Sequence, residues 1–450
     1  MLLAKHTRSS GNPTIKIDLN KDRVNGLESN SVEWVHSDIR SISIFDNNGI
    51  DEFYLGHDGG ISTSEYQCNN NSGYCWSLIN GDGFTITQYH GIGIHENNPE
   101  VFYGGAQDGN GAVTLDGVNW TAGLGLDAGD VILYDDNTNK RALMDYGRPS
   151  FYNSNGSSRT SVPNPTGYFG SRFEVLPSHR DIIFYGIANL YSYNFNNGTP
   201  VKELMRVTGL SRGDRVTDFS ICESQPNSKI TATDKITKGT SNYGGSLLRT
   251  SINNPHYQYD WIDITPHIPN LHWGVIDAVE QDPMNPDKIW IGCSGFSNSP
   301  GTERIYYTST GGSNNTYPGG WSDYSAGLPN LPIQEIRYQL GSNDLLYAAT
   351  DVGVFYRTAT MSQWECYNYG MPPGVVNDID LSYCTGKIAA SVYGRGAYKN
   401  NLLNIPWDIT TNTTWNEKRW LSVDLHIKSG AILTIKDSLL IYPNAKIINR

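Results

Sequence analysis

The chain of 450 residues contains no run approaching the roughly eighteen apolar residues that a membrane-spanning helix needs, and no block of lysine or arginine. The first absence excludes a helical membrane anchor. The second, with a formal charge of −12, disfavours nucleic acid and anionic membrane surfaces as partners and leaves neutral or cationic ligands. The opening "MLLAKHTRSSGNPTIKIDL" is too poor in consecutive apolar residues to serve as a secretion signal, so either the chain is cytoplasmic or its natural start is missing. No two of the six cysteines (Cys68, Cys75, Cys222, Cys293, Cys366 and Cys384) have C-x-x-C spacing, and no zinc site is expected. Cys68 and Cys75 flank "NNNSGY", a loop that a disulfide could close, which would mean export; Cys222 and Cys293 sit in apolar runs and read as buried thiols. A G-x-S-x-G elbow, an H-E-x-x-H helix, a phosphate-binding P-loop and a dinucleotide fingerprint are all missing.

Periodic runs of Ala, Leu and Glu are scarce too, whereas there are 47 Gly, 28 Tyr and 11 Trp. That balance favours strands and turns over helices, and the chain reads as all-β. One unit recurs about every forty to sixty residues, the period of propeller blades. Each copy opens on an apolar run after a polar residue: "SDIRSISI", "TQYHGIGI", "GDVILY", "SRFEVL", "VTDFSI", "VIDAVE", "QEIRYQL" and "VNDIDLS". A turn rich in Asn, Asp, Pro or Gly follows, then a return run ending in a small residue, such as "VFYGG", "IIFYG", "KIWIG" or "LLYAA". Several copies add a third strand and a fourth that bears Trp, as in "VNWTAG", "YDWIDI" and "QWECYNYGMP". A four-stranded antiparallel blade is the simplest object with this order.

These units predict a single β-propeller over residues 12–403, after an N-terminal extension over 1–11. Eight blades match eight openings; seven is the alternative, because the third and fourth units are weakly marked. The last unit lacks its own Trp-type strand after "RGAYKNN", and the early "PTIKIDL" is the natural segment to complete it. Residues 404–450 change texture to alternating apolar residues and predict a separate short β unit, with the pattern stopping midway at Arg450, as in a piece of a longer multidomain chain.

The stretches "HDGGIS", "YGGAQDGNG", "LDGVNW", "TSTGGSNNTYPGGW", "AGLP", "RTATMSQW" and "SVYGRGAY" together resemble the Asp-box (bacterial neuraminidase repeat) propellers, the superfamily of sialidases, sortilin-type receptors and xyloglucan-degrading glycoside hydrolases. The set is similar to that of large exported Bacteroidetes proteins that use the type IX secretion route. The resemblance implies a secreted or cell-surface location and a polysaccharide or cell-surface protein as partner. It also departs from the pattern: Gly109 intervenes between Asp108 and Asn110, and Val354 stands where the hydrolase loop has a second Gly.

The strand starts carry Asp38, His90, Asp130, Arg172, Asp218, Asp277, Glu335 and Asp378. Lining a channel, these would form an acidic funnel for a polyhydroxylated ligand or a calcium ion, since carboxylates accept from sugar hydroxyls and coordinate hard cations. An Asp at a strand start also caps the preceding loop. Asp108 joins the ligand-binding candidates from its loop, and Trp273, just before a strand, is a candidate for stacking on a sugar face. Trp34, Trp76, Trp120, Trp261, Trp321 and Trp364 read mostly as packing between blades. Similarity to the xyloglucan hydrolases points to Asp351 and Asp58 as the paired carboxylates of a hydrolase, against a role for both in holding a turn. A sialidase would need an arginine trio, for which Arg172, Arg337 and Arg395 are available. The sequence thus favours a non-catalytic binding module for a glycan or a protein, with a glycoside hydrolase and a structural spacer of a surface adhesin as alternatives. No cofactor and no metal site is expected, calcium apart.

Overall fold

The computed structural model describes residues 2–4, 16–18, 39–57, 60–66, 74–79, 87–106, 112–122, 128–134, 141–145, 148–152, 158–161, 172–187, 189–194, 201–205, 207, 215–234, 245–253, 255, 260–269, 271, 275–294, 303–312 and 320–450. The chain divides into two compact units, Met1–Thr87 and Gln88–Arg450. Among the described residues, strands account for all regular structure except a 3₁₀ turn at Thr265–His267.

In the first unit, Ile39–Asn47, Ile50–His57, Gly60–Tyr66 and Tyr74–Leu78 form a four-stranded antiparallel sheet. Its turn is tight because Asn48 and Gly49 both take positive φ, 53° and 85°. The segment Lys16–Asp18, expected to complete the last sheet of the repeat, pairs instead with Leu2–Ala4.

Among the described residues before 404, the second unit holds six four-stranded antiparallel sheets and a seventh of three strands, consistent with a β-propeller. Their first strands are Tyr89–Ile94, Ala128–Leu133, Phe173–Val175, Val216–Ile221, Ile276–Asp282, Ile333–Tyr338 and Val376–Ser382. The seventh sheet stops at Gly396–Asn401, the place where the sequence lacks a Trp-type strand. Six of the seven first strands shift register against their return strand near the start, between Tyr89 and Gly91, Ala128 and Val131, Val216 and Asp218, Ile276 and Ala278, Ile333 and Glu335, and Val376 and Asp378. Such a bulge adds twist and re-aims the side chains that follow it.

Apolar clusters join each sheet to the next. Val101 and Tyr103 meet Val131 and Leu133; Phe151 meets Phe173; Phe184 and Leu190 meet Val216 and Phe219; Ile230 and Leu247 meet Ile276 and Ile291. Trp290 and Ile305 then meet Ile336 and Leu346, Tyr347 meets Ile379 and Val392, and Ala389 of the seventh sheet meets Ile92 and Phe102 of the first. Burying each of these side chains contributes roughly 1.5–3 kcal/mol.

Between the first and second sheets glycine makes the approach possible. A Cβ on Gly105 would collide with the carbonyl oxygen of Gly129, and one on Gly91 would lie 2.6 Å from the Asp130 Cα. Both obstacles are backbone and cannot rotate away. Gly105→Ala is therefore expected to cost about 1–3 kcal/mol, the usual range for overpacking, as a lower denaturant midpoint at unchanged slope.

Residues beyond 404 do form β structure, but in parallel. Trp407–Ile409, Leu425–Ile427 and Ile447–Asn449 stack in one ladder, Thr413–Trp415 pairs with Leu433–Ile435, and Arg419–Leu421 pairs with Leu439–Ile441. The result is a short three-faced coil around Ile409, Trp415, Leu421 and Leu425. It docks on the sixth and seventh sheets: Trp420 packs with Leu340, Tyr383 and Tyr442, and Gln339 Nε2 donates to the Leu403 carbonyl (3.1 Å) and to Ser422 Oγ (3.0 Å).

Candidate functional site: the inner strands and the cavity at their ends

Beyond each bulge, alternate residues of a first strand share one face. Two sets of positions result, one per strand in each. The first set is Gly91, Asp130, Arg172, Asp218, Ala278, Glu335 and Asp378; the second, two residues on, is Gly93, Ile132, Glu174, Ser220, Glu280, Arg337 and Asp380.

The acidic members do one repeated job. In the first set, Phe173 N–H donates to Asp130 Oδ2 (2.6 Å), Val279 N–H to Asp218 Oδ2 (2.7 Å), Ile379 N–H to Glu335 Oε2 (2.7 Å) and Ile92 N–H to Asp378 Oδ2 (2.7 Å). In the second, Ile221 N–H donates to Glu174 Oε1 (3.2 Å), Gln281 N–H to Ser220 Oγ (3.0 Å), Tyr338 N–H to Glu280 Oε1 (2.8 Å) and Ile94 N–H to Asp380 Oδ2 (2.9 Å). Every one of these bonds runs from a strand to the amide of the next strand's following residue. They are staples between sheets, satisfying amides that face away from their own ladder.

Two arginines compensate the charge. Arg172 Nη1 lies 3.3 Å from Asp378 Oδ1 and 3.6 Å from Glu335 Oε2, while its Nη2 donates to the carbonyls of Gln334 and Asn377 (both 3.1 Å). Arg337 Nε pairs with Glu335 Oε1 at 2.5 Å and donates to the Ile379 carbonyl. Burial opposes the charge of Arg172, but Glu335, Asp378 and Asp130 more than offset it and raise its pKa above the ordinary value. Carboxylates outnumber the two cations, and burial drives several of them toward the neutral form. Burial, reinforced by Asp378, pushes Asp130 up to about 7; burial also pushes Asp218 and Asp380 up to about 6 and Glu280 up to about 8. Glu174 and Glu335 are raised well above the usual range for the same reason.

Of the other candidates, His90 and Asp277 lie within reach of the Arg172 charge. His90 stacks edge-on with Tyr393, and burial followed by the Arg172 charge lowers its pKa. Asp277 is raised by burial, opposed by a bond from Ser294. Asp351 accepts from Gln334 Nε2 at 2.9 Å in the turn between two strands of the sixth sheet. Arg395 is exposed, so Arg172 and Arg337 come together without it, and both spend their guanidinium groups on Glu335. Asp38, Asp58, Asp108, Trp34 and Trp273 lie outside the described residues, as does Cys68 of the expected disulfide. Trp261, Trp321 and Trp364 are core residues, and Trp120 packs on Tyr89 and Phe102. Cys222 and Cys293 are buried free thiols, as their apolar surroundings in the sequence suggest. In the "LDGVNW" turn, Asp116 accepts from the amides of Val118 and Asn119 and from the Asn119 side chain, which holds the turn before Trp120. Among the described residues no group of three or more His, Cys, Asp or Glu is arranged to hold a metal ion, and no helix is long and apolar enough to cross a membrane.

A cavity of about 150 Å³ opens at the C-terminal ends of the first strands, beyond the second set of positions. Carboxyl groups of Glu96, Glu174, Glu223, Glu280 and Asp380 line it, with Arg180, Arg337 and Tyr383 between them and apolar walls from Phe173, Leu176 and Leu340. Arg180 Nη2 is paired with Glu96 Oε1 at 3.1 Å. Glu223 is 5% exposed, and its Oε1 accepts from the Ser178 amide at 2.8 Å. Its other oxygen, Oε2, and Glu174 Oε2 are sealed from solvent without a hydrogen-bond partner in the protein. The sequence reading missed these acids. Glu174 and Asp380 stand two residues past the strand-start candidates Arg172 and Asp378 and share their face, a period-two signal in the sequence; Glu280 stands three past the candidate Asp277, and Glu96 and Glu223 come from the following turns, so these three carry no such signal.

No family model matches the sequence, and no curated protein matches it. Solved structures do. The extracellular domain of the putative one-component system BT4673 from B. thetaiotaomicron matches with a TM-score of 0.46 at 14% identity. A second structure of that extracellular domain, described as part of a putative hybrid two-component system, gives the same values. The match covers 70% of this chain and 38% of theirs, so the chain corresponds to under half the length of those proteins.

Proposed function

We propose that residues 88–403 form a closed seven-bladed β-propeller of the Asp-box type, and that the chain is a non-catalytic module which binds a small ligand or the tip of a larger glycan or protein in the cavity at the ends of its first strands. The observation that carries this reading is the contrast between two groups of acids. Those at the strand starts are occupied in holding neighbouring sheets, whereas at the strand ends Glu96 and Glu223, from the turns, join Glu174, Glu280 and Asp380 in lining a cavity. Carboxyl groups lining a cavity accept hydrogen bonds from the hydroxyl or amine donors of a ligand. Closure is supported by the Ile92 to Asp378 and Ile94 to Asp380 bonds, which bring the seventh sheet against the first. The eighth blade expected from "SDIRSISI" belongs to the first unit in this reading. An exported or cell-surface location, through the type IX route, follows from the resemblance of the sequence motifs and is part of the same proposal.

The hydrolase alternative asks for paired carboxylates flanking a scissile bond. Asp351, one of its two members, is tied to Gln334 and sits in a turn. Incubation with soluble polysaccharides, xyloglucan among them, is expected to release no new reducing ends, from either the chain or its Asp351→Ala variant. Release that this substitution abolishes would make the protein a glycoside hydrolase and end the binding-module reading.

A further inference from the structure

We propose that the edge strand Ile39–Asn47 of the first unit pairs antiparallel with the same strand of a second copy of the chain, about a two-fold axis at Ser43, joining two four-stranded sheets into one. The proposal concerns the first unit alone and goes beyond ligand binding.

The strand is the outermost of its sheet, and among the described residues no strand pairs with its outer row of N–H and C=O groups. It is nine residues long, against about five or six for an ordinary strand, and it is exposed from Arg40 onward. First strands of the second unit, such as Tyr89–Ile94 and Val216–Ile221, are mostly buried. Here Ile42, Ile44 and Phe45 are 46%, 42% and 58% exposed. Proteins commonly blunt such an edge with a charge or a proline inside it, and residues 41–45 contain neither. A long apolar edge of this kind is a template for another strand.

The residues of the strand indicate which one. Set antiparallel against itself about Ser43, the segment is self-complementary. Ile42 falls opposite Ile44 of the second copy, and Ile44 opposite Ile42. Within its own sheet Ile42 pairs with Leu55 and Ile44 with Phe53, both buried, so the apolar face would run on across the join. Phe45, whose ring meets Tyr54 edge-on at 5.4 Å, falls opposite Ser41, a large side chain against a small one. At each end Arg40 falls opposite Asp46, which gives two opposite-charge pairs. Moving the axis by one residue sets Arg40 against Ile44, or Asp46 against Ile42, so the charges also fix the register. The same patch serves both copies, and the contact therefore closes at two instead of running on into a fibre. One strand pair is smaller than a standard interface, so the dimer is expected to depend on concentration.

Sedimentation velocity of the intact chain over a concentration series is expected to show a monomer–dimer equilibrium. Ile44→Lys sets a charge against Ile42 at both crossings, and Arg40→Glu sets like charges against Asp46; each is expected to weaken the dimer by about tenfold or more. Both positions are exposed, so the sheet is expected to persist, with an unchanged circular dichroism spectrum and unfolding midpoint. Cross-linking reads the register, in a Cys366→Ser background that removes an exposed thiol and gives the baseline. Ser43→Cys lies opposite itself across the axis and is expected to form a covalent dimer on mild oxidation, whereas Ser41→Cys, opposite Phe45, is not. A chain that stays monomeric throughout the series, or a dimer that both Ile44→Lys and Arg40→Glu leave intact, would overturn the proposal. So would cross-linking from Ser41→Cys as readily as from Ser43→Cys. A monomer whose amides along residues 40–46 all exchange slowly would overturn it in favour of an edge covered from within the same chain.

Discussion

Replacing Asp378 with alanine is expected to destabilise the protein by about 3–5 kcal/mol, the range found when one partner of a buried ion pair is removed. Asp378 is 2% exposed and serves two partners at once. Its Oδ2 accepts from the Ile92 amide of the first sheet, and its Oδ1 faces the guanidinium of Arg172. Alanine would orphan a buried amide and leave Arg172 with Glu335 as its remaining carboxylate within 4 Å, at 3.6 Å. Asp378→Asn keeps an acceptor for the amide and removes the charge alone, so it is expected to lose less than half as much. Glu417→Ala, at an exposed turn, is expected to stay within about 0.5 kcal/mol. Urea unfolding followed by tryptophan fluorescence measures all three. A loss below 1 kcal/mol for Asp378→Ala would mean that the bond to Ile92 is not holding the two sheets together.

The second large effect concerns pH. Acids whose folded-state pKa is raised contribute stability that is fully present below their unfolded values, near pH 4, and is lost as pH rises through the folded values. Here those values are about 6 for Asp218 and Asp380, about 7 for Asp130 and about 8 for Glu280. Stability is therefore expected to fall between pH 5 and pH 8, by on the order of 3 kcal/mol, where many proteins are flat. Glu280→Gln still accepts from the Tyr338 amide and cannot ionise; it is expected to flatten the part of the curve between pH 7 and pH 8. Unfolding midpoints across that range, in wild type and variant, check this. A curve that rises toward pH 8 would show that these carboxyl groups are ionised in the fold at lower pH than their burial implies.

Much of the fold was legible because its signals are local. The eight openings all became first strands, since alternating apolar residues beside Asn, Asp and Gly turns report half-buried strands without reference to distant partners. What was not legible depends on partners far along the chain. That "PTIKIDL" pairs with Leu2–Ala4, and that "SDIRSISI" joins the first unit, follow from long-range packing that local pattern does not encode. The tail shows the same limit: period two predicts strands from Trp407 onward, but not that Trp407, Leu425 and Ile447 stack in parallel. For the site, residue type misled. An Asp at the start of a channel-facing strand reads equally as a ligand contact or as a backbone cap, and what decides it is the amide opposite, far along the chain: Val279 N–H donates to Asp218 from the next sheet, and Ser178 N–H donates to Glu223 at the cavity.

Amide hydrogen exchange at Phe173, Val279, Ile379 and Ile92 tests most directly whether the inner-strand carboxylates are staples. These four N–H groups point at Asp130, Asp218, Glu335 and Asp378, and are expected to exchange only through global opening, as slowly as the slowest amides in the central ladders. Exchange at the rate of exposed loop amides at these positions would contradict the account, and would return the four carboxylates to the pool of groups free to bind a ligand.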